Sequence, residues 1–129
     1  MQDSITKAFL FVIALPTAVN ASVPYIYVNG GNMGDNESLK ECLKIATREM
    51  KIAGFTKNID SIFLDKEQAT INADHSKRPA TISYVCNEDL KVYSYGVSAI
   101  DNDDAYESYS DMYDAFGKWN AYFNHYLLQ

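Results

Sequence analysis

The chain has 129 residues and a mass of 14.5 kDa, which is one domain by length. Apolar residues make up 47% and charged residues 22%, ordinary globular usage that excludes a disordered or collagen-like chain. The formal net charge of −6 argues against a sequence-independent nucleic-acid binder, which needs a basic surface, so no nucleic-acid partner is expected.

Residues 1–7 are polar and end in Lys7, and Ala8 to Val19 form a mostly apolar run. Val19-Asn20-Ala21 then places small residues at the −3 and −1 positions of a cut after Ala21. This three-part layout reads as a signal peptide over residues 1–21, followed by a single α+β domain over 22–129. The apolar run is shorter than the roughly 20 residues a membrane-spanning helix needs, and no Cys near the cut offers a lipid site. The expected location is therefore periplasmic or secreted, without a stable membrane anchor.

Val23-Pro24-Tyr25-Ile26-Tyr27-Val28 is an extended, β-prone run, and Asn29-Gly30-Gly31-Asn32 is expected to break it. Residues 37–53 read as a helix, with Leu39, Cys42, Leu43, Ala46, Met50 and Ala53 on one face. Ser38 with Glu41 forms a potential capping box, Asn36 is the rival cap, and Gly54 is the stop. Residues 59–64 are either a short strand or a loop. Strands are expected at 67–73, 80–86 and 90–97, joined by a polar loop at 75–79 and a tight connection at 87–89. Such short connections require antiparallel pairing. A long helix is expected over 103–127, capped by Asp103 or Asp104. Its apolar face joins the stripe Tyr106, Tyr109, Tyr113, Phe116, Asn120, Phe123, Leu127 to the stripe Met112, Phe116, Trp119, Phe123, Tyr126. The expected fold is α+β: a three-stranded antiparallel meander, or a four-stranded one, with an N-terminal and a C-terminal helix on one face.

That arrangement brings Cys42, on the apolar face of the first helix, to Cys86, on the inward face of the central strand. In an oxidising compartment the pair reads as a disulfide, with two buried thiols as the alternative. Closing a loop of roughly 45 residues stabilises by about 4 kcal/mol in the chain-entropy account.

Motifs of chemistry are sparse. Asp101-Asn-Asp103-Asp104 resembles the start of a calcium loop, but Tyr106 and Met112 stand where that loop needs Gly and Glu. It reads as a solvated helix start. Asp74-His75-Ser76 has triad residue types, yet neighbours in one turn do not converge. There is no Gly-rich phosphate loop, no H-E-x-x-H and no G-x-S-x-G. No enzyme activity, cofactor or metal is expected.

Cys42 and Ala53-Gly54-Phe55, followed by Ile82-Ser-Tyr-Val-Cys86, resemble a pattern in small uncharacterised bacterial exported proteins, where a helix ends in Ala-Gly-Phe and a strand ends in Cys. The likeness covers about residues 38–97 and implies export and a disulfide. The Gly-Pro that usually ends the third strand is replaced by Gly96-Val97-Ser98.

Charge is distributed unevenly. Residues 22–100 carry ten acids and nine bases, while 101–129 carry six acids and only Lys118. Tyr106 and Tyr113 each adjoin one of these acids, and Tyr109 lies two residues from Glu107 and Asp111. Asp101, Asp103, Asp104, Tyr106, Glu107, Tyr109, Asp111 and Tyr113 are therefore the expected partner-binding residues, facing a basic protein. An immunity protein or inhibitor against a cell-envelope toxin or hydrolase fits this size, compartment and charge. The alternative is a small-ligand carrier with an aromatic pocket between the C-terminal helix and the sheet. If the acidic segment is only a capped helix start, the 75–79 loop is the next place to look.

Overall fold

The computed structural model describes residues 23–127, with side chains through Gly117. Within these residues the order is β1 (Tyr25–Asn32), α1 (Leu39–Ile52), β2 (Phe55–Phe63), β3 (Gln68–His75), β4 (Ala80–Asn87), β5 (Val92–Ala99) and α2 (Asn102–Leu127). The strands form one antiparallel sheet in the order β1-β5-β4-β3-β2. Both helices pack on one face: α1 over β2, β3 and β4, α2 chiefly over β5 and β1. The fold is thus α+β as expected, but with five strands rather than three or four. The first helix is internal, because β1 precedes it. The expected signal peptide at 1–21 lies outside the described residues.

The period-two pattern decides the inner face. Ala69, Ile71, Ala73, His75, Ala80, Ile82, Tyr84, Cys86, Tyr95, Val97 and Ala99 are all buried beneath the helices. The outer face carries Thr70, Asn72, Asp74, Thr81, Ser83, Ser94 and Ser98, and Thr81 donates to Asp74 Oδ1 at 2.8 Å.

The expected break at Asn29–Asn32 does not occur. β1 runs through both glycines in unbroken register with β5. A Cβ on Gly30 would lie 2.7 Å from the Tyr93 carbonyl oxygen, and one on Gly31 2.8 Å from the Tyr93 hydroxyl. The glycines serve close approach of the chain to Tyr93, not a turn.

Helix α1 begins at the expected cap. Ser38 Oγ accepts from the Glu41 N–H at 3.2 Å, and Asn36 is not used. Gly54, at φ 96°, ends it in the left-handed region, and Phe55 is fully buried.

Helix α2 departs from expectation in two ways. Its cap is Asp101, whose Oδ1 accepts from the Asp104 N–H at 3.1 Å, rather than Asp103 or Asp104. Met112 is buried as expected, but the rest of the buried stripe is Ala105, Ser108 and Ala115, about one residue round from the predicted Tyr106, Tyr113 and Phe116. Small residues let the helix sit close to the sheet, so the large aromatics turn outward. The predicted positions beyond Gly117 lie outside the described side chains.

Candidate functional site

Cys42 and Cys86 are bridged, with Cα atoms 6.2 Å apart, and tie α1 to β4, the middle strand. A disulfide fits an oxidising compartment. No described helix is long and apolar enough to cross a membrane.

The expected partner-binding residues separate into two sets. Asp103, Tyr106, Glu107 and Tyr113 are exposed and share one stripe of α2 with Asp114. Tyr106 is 54% and Tyr113 62% exposed. Tyr109 turns inward instead, into a ladder of rings. Tyr93 and Tyr95 stack on either side of Tyr84 at 5.7 and 5.5 Å, Tyr109 follows at 6.3 Å from Tyr95, and Tyr27 bridges Tyr109 and Tyr106. The Tyr27 hydroxyl donates to Asn102 Oδ1 at 2.6 Å. Burial raises the Tyr84 and Tyr93 hydroxyls above the ordinary range and pushes Tyr95 up to about 12. Tyr84, Tyr93 and Tyr95 are therefore neutral hydroxyls at physiological pH.

Asp111 also turns inward, where it meets a base from another segment of the chain. Arg78 Nη1 donates to Asp111 Oδ2, while its Nε lies 3.2 Å from Glu107 Oε2. Sequence spacing on the helix shows no base between these acids, but the β3–β4 loop supplies one. Arg78 in turn is held above its usual range, first by the Asp111 hydrogen bond.

Beside it lies His75, which is 5% exposed. Its Nδ1 accepts from the Lys77 and Arg78 N–H groups at 3.1 and 3.3 Å, which leaves the proton on Nε2. Nε2–H faces the Ala53 carbonyl at 3.0 Å and Asp111 Oδ2 at 3.2 Å. A Cβ on Gly54 would lie 2.8 Å from Nε2, so only glycine leaves room for the ring. Ser76 N–H donates to Gly54 O at 2.8 Å. This knot fastens the end of α1, the β3–β4 loop and α2 together. Both ring nitrogens are occupied by structural contacts, so it does not present a general base. Asp74 lies on the other sheet face, where hydrogen bonds from Asn58 and Thr81 hold it below the usual carboxylate range. The three triad residue types do not converge. Among the described residues no group of His, Cys, Asp or Glu has the makings of a metal site.

Two further features escaped sequence reading. Glu49 is 1% exposed, and neither carboxylate oxygen has a hydrogen-bond partner among the described residues. Burial, then the charge of Glu37, pushes it up to about 7. Its place was legible: Cys42, Ala46, Glu49 and Ala53 follow helical spacing on the buried face. The second is a groove of about 710 Å³ between α1 and the end of β2, lined by Leu43, Thr47, Phe63, Lys40, Lys44 and Lys66 among others. A smaller pocket of about 250 Å³ lies between α2 and the sheet, walled by Asn29, Tyr93, Tyr95, Tyr113 and Phe116.

The chain matches no protein-family model, no curated protein and no solved structure.

Proposed function

We propose that this chain is an exported, disulfide-stapled, non-enzymatic domain that binds a basic protein through the outer stripe of α2. The role that fits best is an immunity or inhibitor protein against a cell-envelope toxin or hydrolase. The observation that carries this reading is the exposure of Tyr106 and Tyr113 beside acids that make no ion pair among the described residues, Asp103 and Asp114. Exposed Tyr provides large contact area at low entropy cost, and unpaired acids around it attract a basic partner and orient it. Glu107 and Asp111 contribute less, since Arg78 already neutralises them in part.

The test follows from that division. Asp103→Asn, Asp104→Asn and Asp114→Asn together leave the Arg78 pairs intact. Association with a basic partner captured by the wild-type protein should slow and lose its salt dependence. Tyr106→Ala with Tyr113→Ala should speed dissociation. Unchanged rates in both variants reject the stripe as the binding face.

The aromatic pocket supports a second reading, a small-ligand carrier. Its volume of about 250 Å³ lies just below the usual range of roughly 300–1,000 Å³ for ligand sites. A small apolar dye that binds the wild type and is lost on Tyr113→Lys and Phe116→Ser would favour it.

A further inference from the structure

The sheet ends in β2, so one side of this strand has no neighbour among the described residues. Open edges are usually blunted by bulges, charge or cover. Here the protection stops halfway. Register shifts fall between Phe55 and Lys57 and between Lys57 and Asp60, and Asn58 sits at φ 51°. From Asp60 to Phe63 the pairing with β3 is regular, and the outer edge is open.

Cover is missing on the same half. Phe63 pairs with Ala69, which is fully buried, so both point to the helix-bearing face. Yet Phe63 is 63% exposed, because α1, which packs over β2, β3 and β4, leaves this end of β2 bare. The result is the 710 Å³ groove, with Phe63 and Leu43 in its wall. At the opposite edge the inward row of β1 is covered, since Tyr27 packs against Tyr106 and Tyr109.

The groove's charge is one-sided. Lys40, Lys44 and Lys66 line it, are exposed, and make no ion pair among the described residues. Its one lining carboxylate among the described residues, Glu88, is engaged in accepting from the Leu39 N–H at 3.1 Å, capping α1.

We propose that this groove docks an acidic, extended segment of another protein, which pairs with Asp60–Phe63 as a sixth strand and seats an apolar side chain against Phe63. A strand added about 4.8 Å from β2 turns alternate side chains inward, into the row that α1 leaves open. The backbone supplies pairing, Phe63 and Leu43 the apolar anchor, and the three lysines select acids. This surface is separate from the α2 stripe and takes a partner of opposite charge.

The test uses the disulfide-bonded protein and a short synthetic peptide alternating Val with Glu. Its analogues are the same peptide with Lys for Glu, and one N-methylated at alternate residues. The Val–Glu peptide should shift the backbone amide resonances of Asp60–Phe63 and slow their hydrogen exchange. Lys40→Glu with Lys44→Glu, both at exposed positions, should weaken binding about tenfold. Phe63→Ser should weaken it as well, and the N-methylated and Lys peptides should not bind. Equal binding of the N-methylated peptide overturns strand addition, and equal binding of the Lys peptide overturns the acidic occupant. Shifts confined to α2, or no binding at millimolar peptide, overturn the site. Shifts at Asp60–Phe63 that grow with protein concentration alone assign the groove to a second copy of the chain and overturn a foreign segment.

Discussion

The two halves of the helix-bearing face handle charge in opposite ways. Over β1 and β5, α2 presents acids, but a base from the β3–β4 loop reaches across to two of them, and the tyrosines beneath join into a ladder. Over β2 and β3, α1 presents lysines to a groove whose only lining carboxylate among the described residues is already committed to a helix cap. The acidic half is conspicuous in composition and partly neutralised in space. The basic half is invisible in composition and unneutralised in space. Net charge along a segment is therefore a poor guide to where the strongest uncompensated field lies, since ion pairs form between segments.

The largest effect that separates the halves should come from the disulfide. It fastens α1, and thus one wall of the groove, to the middle strand. Cys86→Ala should cost about 2–5 kcal/mol in denaturant unfolding. Native-state hydrogen exchange should show α1 losing more protection than α2. Equal loss in both helices would mean that the halves unfold as one unit.

Glu49 comes next. Its carboxyl is raised from 4.5 to about 7 by burial, so the folded chain keeps a proton that the unfolded chain releases between those values. Stability should be highest below about pH 4.5 as far as this group is concerned, fall as pH rises, and level off above about 7. The expected loss is about 3 kcal/mol. Glu49→Gln should flatten this part of the profile, and Glu49→Met should raise stability at pH 7.5. A profile unchanged by Glu49→Gln would show that the carboxyl has found a partner in solution.

Arg78 tests the compensation directly. Arg78→Met removes the base from Glu107 and Asp111 and should cost about 1 kcal/mol, as partly exposed ion pairs are worth little. The same variant uncovers two acids beside the α2 stripe. If that stripe binds a basic partner, association should become faster and more salt-sensitive. Slower association would place Arg78 in the binding face itself.

Much of this fold was legible residue by residue. The Ser38 cap, the Gly54 stop, the alternation through β4 and the Cys42–Cys86 bridge all follow from local pattern, because each is set by the residues that form it. β1 was not, because Gly30 and Gly31 read as a turn until Tyr93 is known to lie against them. The rotation of α2 was not, because helical spacing places Tyr106, Tyr109 and Tyr113 together, and only packing decides that Ala105, Ser108 and Ala115 go inside. The acidic stripe was half legible: Asp103, Tyr106 and Tyr113 are exposed together on α2, while Tyr109 and Asp111 are drawn into contacts by residues far away in the chain. The groove was legible only in its α1 wall, where Lys40 and Lys44 stand one helical turn apart, since Phe63 and Lys66 are brought to them by the sheet.

The smallest expected effect concerns Gly117, and it bears on how firmly α2 is set over its half of the face. Glycine in a helix interior costs about 1 kcal/mol relative to alanine, through backbone entropy. Such a cost is retained where a side chain would collide, as at Gly54, where a Cβ would meet the His75 ring. At Gly117 a Cβ would meet nothing within 4 Å among the described residues, and the residue lies inside a continuous helix. Gly117→Ala should therefore stabilise by about 0.5–1 kcal/mol, a rise in thermal midpoint of a few degrees. Gly54→Ala, by contrast, should destabilise, because it combines a left-handed backbone with that collision. The pair of variants also bears on function. A stiffer α2 holds Tyr106 and Tyr113 in fixed relation, so a partner that meets the helix as it stands should bind Gly117→Ala as tightly as the wild type. Weaker binding by the more stable variant would mean that α2 bends at Gly117 when its partner arrives, and that the acidic half, unlike the groove, is shaped by binding.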